Sequence, residues 1–365
     1  MPDQKACEWL LQTADPPIRY RVLRELYGDK PGAAQIETDL MANPVVTYWL
    51  AQLQPELPMA ARFPEHGSFD HLLENALLKC VQLGLHAGLP AVAEAIGYYR
   101  DKLEAAPAGP ARHKFEGRDG FYDSFIYVIT CDLLAVIAPD DPAVLRRLAE
   151  SLEALHDFTS QGSYDIYADA EERAAMKSVP TVWKDRKFLK TSLFETSGVA
   201  WPMIYDIVGM SRLYSLKDPG LSGQLDAVID YISTDAFHET VADSYGIMQS
   251  SAKRYHSVGW DPKYPGWFDL AGYLEGGAKA NMARLLYFAL YISKYPPARQ
   301  TRWFAELLEY LEAYNIGDGR YRFPASWLRD KTGYAVLGNH LSFGENRRKR
   351  DWREIESTFY MQLLL

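Results

Sequence analysis

Two kinds of helical pattern alternate along the chain, and they differ in how much of the helix surface is apolar. The first kind is amphipathic: residues Pro142 to Leu155 carry leucines on one face and charges on the other, and residues Arg302 to Tyr314 repeat this arrangement. Weaker copies cover residues 7–14, 43–54, 89–104 and 220–234. A helix with one apolar stripe buries that stripe, so these segments predict outer helices.

The second kind is apolar nearly all round, which is typical of helices buried on both sides. The clearest examples are Asp123 to Ala138 and Leu270 to Ile292. A third would begin at Glu195, but Pro202 interrupts it, so we expect this helix either to be kinked there or to start near Met203. Six alternating pairs of outer and inner helices predict an all-α fold, an (α/α)6 toroid. No segment looks like a linker between separate cores, so the toroid is predicted as a single domain of residues 1–365.

An acidic residue, usually after an apolar one, recurs where the buried helices are expected to begin. The clear copies are Asp70, Asp123, Glu195, Asp269 and Glu356, and a looser first copy is Asp15. Their irregular spacing indicates one supersecondary unit, repeated with loops of different length. The connections from outer to inner helices are the long ones, at roughly residues 105–120, 159–194, 235–267 and 315–353. Every long loop therefore reaches the end of the fold where the acids lie, which predicts a functional site there.

These acids have two interpretations, one structural and one catalytic. An acid in the first turn of a helix caps backbone N–H groups and favours the helix dipole. Carboxylates gathered on one rim also raise one another's pKa, which produces a general acid and a general base from one residue type. Asp123 is the first catalytic candidate because it opens the most apolar helix beside Tyr122, and Glu195, Asp269 and Glu356 follow. Asp70 and Tyr122 are expected to contact the substrate.

The segment Arg254 to Asp269 is the densest in aromatic residues. His256 and Asp261 form a candidate acid–base pair, and the aromatic candidates for a binding wall are Tyr255, Trp260 and Trp267. Aromatic faces suit both a sugar ring and a developing carbocation. The alternative is that these side chains anchor a long loop to the protein body.

The last loop, GNHLSFGENRRKR, brings further polar residues to the same rim. Its candidates are His340, Glu345, Asn346 and Arg347. An arginine there can hold an anionic substrate group through two parallel hydrogen bonds. The basic run that begins at Arg347 reads otherwise as a solvated surface.

Composition excludes several classes of partner and cofactor. The chain has 365 residues and a formal charge of −9, which argues against binding to nucleic acid. Three widely spaced cysteines, no signal peptide and no integral membrane segment favour a cytoplasmic protein. No spacing of His or Cys ligands supports a metal, and no glycine-rich phosphate loop supports a nucleotide cofactor. We therefore expect a metal-independent protein without a cofactor that binds a small molecule.

The alternation of inner and outer helices resembles the α/α-toroid superfamily of terpenoid cyclases and protein prenyltransferase β subunits. Recurring Gly-x-aromatic steps after outer helices, as in Gly67-Ser68-Phe69, Gly162-Ser163-Tyr164 and Gly319-Arg320-Tyr321, add to this resemblance. The cyclases' DxDD motif is missing, and the prenyltransferases' Asp-x-Cys is approached only by Cys131-Asp132 in reverse order. The resemblance implies a central cavity and a lyase, cyclase or isomerase acting on a largely apolar, terpenoid-like molecule.

Two other functions fit the same architecture. The first is a carbohydrate-active hydrolase or lyase. The predicted fold is also similar to that of unsaturated glucuronyl hydrolases, which are helical toroids of this size that use acids at the starts of their inner helices. The second is a binding or scaffold toroid without catalytic activity.

Overall fold

A computed structural model describes residues 2–53, 72–105, 117–191, 193, 202, 204–251, 254–260, 267, 269–276, 281–328, 330 and 341–365. The structure is mostly helical, which confirms the all-α prediction. Among the residues so described, none of the helices is both long and apolar enough to cross a membrane.

Eighteen α-helices lie within the described residues: α1 Gln4–Thr13, α2 Pro16–Arg21, α3 Lys30–Gln35, α4 Glu37–Ala42, α5 Pro44–Gln52, α6 Leu73–Gln82, α7 Pro90–Ala105, α8 Gly117–Ile137, α9 Pro142–Thr159, α10 Ala170–Ala175, α11 Ile204–Met210, α12 Pro219–Ile232, α13 Asp235–Thr240, α14 Leu270–Glu275, α15 Met282–Ile292, α16 Pro296–Arg299, α17 Arg302–Glu312 and α18 Trp352–Leu364. A π-helical turn covers Val22–Leu26, and 3-10 turns cover Thr181–Trp183 and Leu213–Leu216. Two antiparallel pairs of strands, β1 Tyr245–Ser251 with β2 Arg254–Trp260 and β3 Asn315–Gly317 with β4 Arg320–Tyr321, complete the described elements.

The chain divides into two compact units. The first unit consists of Met1–Tyr98, Asp269–Ser293 and Arg302–Leu365, and the second consists of Tyr99–Phe268 and Lys294–Thr301. The single-domain toroid stays a prediction.

The amphipathic patterns correspond to helices with clear start signals. α9 and α17 confirm the two strong patterns, and α1, α5, α7 and α12 confirm the four weaker ones. In α5, α9 and α12 the first helical residue is proline, which needs no N–H partner there. The preceding Asn43, Asp141 or Asp218 accepts hydrogen bonds from backbone N–H groups of the first turn, so each start is capped by its own sequence.

The apolar patterns also form helices, with two corrections to their bounds. α8 begins at Gly117, so the prediction that Asp123 opens this helix is wrong. The long apolar run that follows favours helix propagation, and this outweighs the weak helix propensity of Gly117 and Gly120. The predicted helix from Leu270 to Ile292 is two helices, α14 and α15, and the second begins at the cap residue Asn281. α11 starts at Ile204, after Pro202, close to the expected position.

The predicted long loop at residues 235–267 contains regular structure that the sequence analysis missed. It includes α13 and the β1–β2 hairpin, in which Tyr245 pairs with Trp260 and Gln249 with His256. Tyrosine, isoleucine, valine and tryptophan favour extended backbone, and β1 contains the first two of them while β2 contains tyrosine, valine and tryptophan. The aromatic density that suggested a binding wall is therefore also a strand signal.

Segment Leu341–Glu345 of the first unit is buried and runs close to α2 and to the end of α6. Gly344 makes this approach possible, because a Cβ atom there would lie 2.6 Å from Leu83 Cδ2. Its φ of 87° also lies in the left-handed region that glycine tolerates best. The turn at Gly344 directs the backbone N–H groups of Phe343 and Glu345 toward α18.

Candidate functional site

Glu356 is a fully buried carboxylate in the second turn of α18. Its Oε1 accepts hydrogen bonds from the backbone N–H groups of Phe343, at 3.1 Å, and Glu345, at 3.4 Å. Its Oε2 lies 3.3 Å from Nη2 of Arg347 and has no hydrogen-bond partner among the described residues. One oxygen is thus held by the backbone, and the other faces a cation.

The surroundings of Glu356 change its protonation. Burial raises the pKa of this carboxyl from 4.5 to about 7, while Arg347 and Lys79 act in the opposite direction. Burial dominates because the two cations do not replace all the hydration that the carboxylate loses. A carboxyl group with this pKa can both accept and donate a proton near neutral pH.

Lys79 is a fully buried cation near Glu356. It lies in α6, and its Nζ donates to the backbone oxygen of Ser342 at 2.5 Å and to the Ser342 hydroxyl at 2.6 Å. The same Nζ lies 3.2 Å from Oδ2 of Asp330, which also accepts from the Ser342 hydroxyl at 2.6 Å. Burial lowers the pKa of Lys79, and the Asp330 carboxylate counteracts this. We call Lys79, Asp330, Ser342, Arg347 and Glu356 the Glu356 cluster.

Arg347 is the most accessible cation of the Glu356 cluster, with 38% of its side chain exposed. Its guanidinium stacks 4.1 Å above the ring of Trp352, and Nη2 donates to the backbone oxygen of Leu328. These contacts fix the plane of the guanidinium. No described residue accepts a hydrogen bond from Nε or Nη1, so these donors can receive an anion.

A second charged group lies next to the Glu356 cluster. Oε2 of Glu345 accepts from the backbone N–H of Asp15 at 2.8 Å, and its Oε1 forms a 2.6 Å ion pair with Lys349. Lys349 also contacts Oδ1 of Asp15 at 2.8 Å. Burial raises the pKa of Glu345 to about 6. Lys349 is therefore a structural tether, which corrects the view of the whole basic run as a solvated surface.

Two of the repeated acids, Asp15 and Glu356, are connected through Glu345. Its backbone N–H donates to Glu356, and its side chain accepts from Asp15. Asp269 has a different role: it is exposed, and its Oδ1 caps α14 by accepting from Gly272 N at 2.9 Å. Trp267 is buried, and its ring packs edge-on against His238 at 5.9 Å between centroids.

The other predicted site residues fall into two groups. For some the structure gives the backbone position alone, and the rest lie outside the described residues. Asp123 and Tyr122 are in the second turn of α8, and Tyr255, His256 and Trp260 are in β2. The candidates outside the described residues are Asp70, Glu195, Asp261 and His340. Their roles stay predictions.

Lys79, Asp330 and Ser342 were not recognised from the sequence. A weak signal was present, because Asn75, Lys79 and Gln82 follow one another at helical spacing and form a polar stripe. All ten residues of α6 are buried, so this stripe lies inside the protein. Buried polar side chains require partners, which makes such a stripe a sign of a polar site.

The second unit also buries acids on its apolar helices. Asp132 on α8 and Asp206 on α11 are 2% and 0% exposed. The two helices approach closely at Gly209, where a Cβ atom would lie 2.6 Å from the Cα of Asp132. With Glu74 on α6, buried acids thus occur on α6, α8, α11 and α18.

Within the described ranges, no group of three or more His, Cys, Asp or Glu residues is arranged to hold a metal ion. The prediction of metal independence stays a prediction. No family model, curated protein or solved structure matches the chain.

Proposed function

We propose that this protein is an acid–base enzyme of the (α/α)6-toroid type, in which Glu356 transfers a proton to or from a small-molecule substrate. The observation that supports this most strongly is the geometry of the Glu356 carboxyl group. Its Oε1 is held by two backbone N–H groups, and its Oε2 is left for a proton beside Arg347. A positioned carboxyl group of this kind is what general acid–base catalysis requires.

In this proposal the neighbours of Glu356 have distinct roles. Arg347 binds an anionic group of the substrate through Nε and Nη1, and Trp352 keeps its guanidinium in place. Lys79 is a positioning residue, because it holds the Ser342–Phe343 segment whose N–H group contacts Glu356. Neither a metal nor a cofactor takes part.

Two substrate classes remain from the sequence analysis, a terpenoid-like molecule and a carbohydrate. The described site favours the carbohydrate class, and within it a sugar acid. A guanidinium with unused donors is suited to a carboxylate, whereas an uncharged terpenoid would leave Nε and Nη1 unused. The reaction is then a hydrolysis, elimination or isomerisation of a glycoside that carries a carboxylate. The terpenoid reaction is the second candidate, supported by the aromatic residues at 255–267.

The remaining catalytic candidates keep their predicted place in this proposal. Asp123, Glu195, Asp269 and His256 stay the candidates for a second acid–base group, and for Asp269 this role would come in addition to capping α14. Asp70, Asp261 and His340 are expected to contact the substrate. A binding toroid without activity is the alternative to all of these roles.

The test is a comparison of purified variants on a substrate panel of uronate glycosides, neutral glycosides and uncharged terpenoids, with products measured by mass spectrometry. We expect turnover of a uronate glycoside and its loss, by a factor of about 10² to 10⁴, in Glu356→Gln. The matched control is Glu354→Gln, because Glu354 lies two residues away on α18 with its side chain 22% exposed. Asp123→Asn is expected to lose activity as well.

Three outcomes would contradict the proposal in different ways. Full activity of Glu356→Gln, with an unchanged melting temperature, would remove Glu356 from the catalytic role. Turnover of uncharged terpenoids alone would exclude the sugar acid and favour the terpenoid-like substrate. Binding of a panel member without any product would support the binding toroid.

A further inference from the structure

A basic segment of the second unit exposes an apolar residue to solvent. Residues 177–187 contain four cationic residues, Lys177, Lys184, Arg186 and Lys187, and one anionic residue, Asp185, which gives them a net charge of +3. The whole chain carries −9, so this segment departs in sign from the rest of the protein. We call it the basic protrusion.

The tip of the basic protrusion is apolar and open to solvent. Val182, in the 3-10 turn Thr181–Trp183, is 88% exposed, which is the highest value among the large exposed apolar residues described. Pro180 beside it is also exposed. The Lys184 side chain is 72% exposed. An apolar side chain is therefore exposed to water in a segment rich in cations, although burying it would be favourable.

The base of the protrusion is fixed, so the tip has a defined position. Phe188 and Leu189 are buried, and the backbone of Leu189 donates to Gly246 of β1 at 3.0 Å. From the other side, Nη2 of Arg173 donates to the backbone oxygen of Lys184 at 3.1 Å. The ring of Trp183 is half-buried under the guanidinium of Arg186, at 4.6 Å. Ordering this segment on a partner therefore costs little entropy.

Most cations of the protrusion have no carboxylate partner within the described residues. Lys177 forms no ion pair there, and Lys187 and Arg186 contact the aromatic rings of Tyr167 and Trp183. Lys184 faces the exposed Asp185 at 3.8 Å, a pair that water screens strongly. The positive charge is thus available to a partner outside the chain.

We propose that the basic protrusion docks the protein on an anionic lipid bilayer surface. Val182 and Pro180 enter the headgroup layer, and the lysines and Arg186 contact lipid phosphates and carboxylates around them. Each Lys or Arg close to an anionic leaflet increases the partitioning about fivefold. Tryptophan prefers the membrane interface, which is where Trp183 would lie. An acidic protein would satisfy the cations but would not by itself use the apolar tip, so the bilayer accounts for both features.

The proposal is tested by cosedimentation of the whole protein with vesicles of phosphatidylcholine, with and without phosphatidylserine. We expect binding to the phosphatidylserine vesicles and at least tenfold weaker binding to pure phosphatidylcholine. Lys184→Glu/Lys187→Glu should weaken binding at least tenfold, and Val182→Asp should weaken it severalfold. The control is Lys5→Glu/Lys217→Glu, which changes the net charge equally at two other exposed lysines. Circular dichroism checks that every variant stays folded.

Three results would overturn the proposal. Equal binding to both kinds of vesicle, or equal loss in the control variant, would show that the protrusion has no specific role. Retention on immobilised polyglutamate that Val182→Asp leaves unchanged, together with no vesicle binding, would assign the basic protrusion to an acidic protein partner. Enzyme activity is not needed for any of these measurements.

Discussion

Helices α15 and α18 belong to the same unit and are buried to a similar degree, yet their sequences differ in kind. The buried positions of α15, from Met282 to Ile292, are aliphatic or aromatic. α18 buries Glu356, Ser357, Thr358 and Gln362 among its apolar residues. Burial of α15 follows mainly from the hydrophobic effect, and its two buried hydroxyls, on Tyr287 and Tyr291, pair with each other. Burial of α18 is favourable only because its polar groups have partners.

The partners of α18 show what its polar residues do. Each of the four accepts a hydrogen bond from the backbone of a non-helical segment. The donors are Phe343 N to Glu356, Phe323 N to Ser357, Tyr321 N to Thr358 and Asp3 N to Gln362. Irregular segments have backbone N–H groups without partners of their own, and burying them unpaired is costly. α18 therefore organises the segments around it, whereas α15 fills space.

The largest effect expected from this contrast concerns the buried cation that supports α18. Lys79→Met nearly keeps the side-chain volume but removes the cation from Asp330 and the Nζ donor from the buried Ser342 carbonyl oxygen. Asp330 is 37% exposed and still accepts from Ser342, so we expect a loss of about 3 kcal/mol of unfolding free energy, the low end of the cost of breaking a buried ion pair. Leu286→Met, in α15, is a matched change between two apolar side chains and should cost less than about 1.5 kcal/mol. Urea denaturation of both variants measures the difference. Equal losses would end the distinction between the two kinds of helix.

The next effect is a pH dependence that α18 has and α15 lacks. The pKa of Glu356 is about 7 in the folded state, raised from 4.5, so the folded protein holds this proton more tightly than the unfolded chain. The stability that the protonated group contributes is present below pH 4.5 and is lost as the pH rises through 7, by about 3 kcal/mol in total. Glu356→Gln should remove this loss. The measurement is the unfolding free energy of both proteins from pH 5 to pH 8. If it changes equally with pH in wild type and in Glu356→Gln, the assignment is contradicted.

The smallest effect concerns one hydroxyl group on α18. Ser357→Ala leaves the backbone N–H of Phe323 buried without its 2.9 Å acceptor. We expect a loss of about 1–3 kcal/mol, because an unsatisfied buried donor keeps its desolvation penalty. Hydrogen exchange at the Phe323 amide should accelerate along with the loss in stability. An unchanged exchange rate would mean that water replaces the hydroxyl.

The same contrast explains how far the sequence predicted the fold. The apolar helices α8 and α15 and the amphipathic helices α9 and α17 were recognised from the sequence. Where the apolar residues of a helix are buried and its polar residues are exposed, the pattern of polarity predicts burial. α6 was expected as a buried helix after Asp70, but the lysine that it buries was not recognised, and the β1–β2 hairpin was missed. In α6 a lysine is buried, so polarity no longer indicates exposure, and in the hairpin an aromatic-rich pattern fits two structures.

The candidate site was predicted in part and for a physical reason. Glu356 was predicted because acids recur where the buried helices are expected to begin. Arg347 and Glu345 were predicted because they lie in the last long loop. Asp330 and Ser342 could not be found this way, because their contacts to Lys79 join positions more than 250 residues apart in sequence. Such contacts have no local pattern. The environment that raises the pKa of Glu356 depends on them.

The first unit is assembled from the beginning, the later middle and the last part of the chain. During synthesis on the ribosome, α6 therefore leaves the exit tunnel long before the Ser342 segment and α18 exist. The surface of α6 that is buried in the folded protein, with Lys79 and its apolar neighbours, therefore stays exposed until these segments are synthesised. The second unit, mostly Tyr99–Phe268, can already fold in this time. Closing so long a loop is slow. We expect the nascent chain to depend on chaperones in this interval, and the first unit to complete only once α18 has left the ribosome.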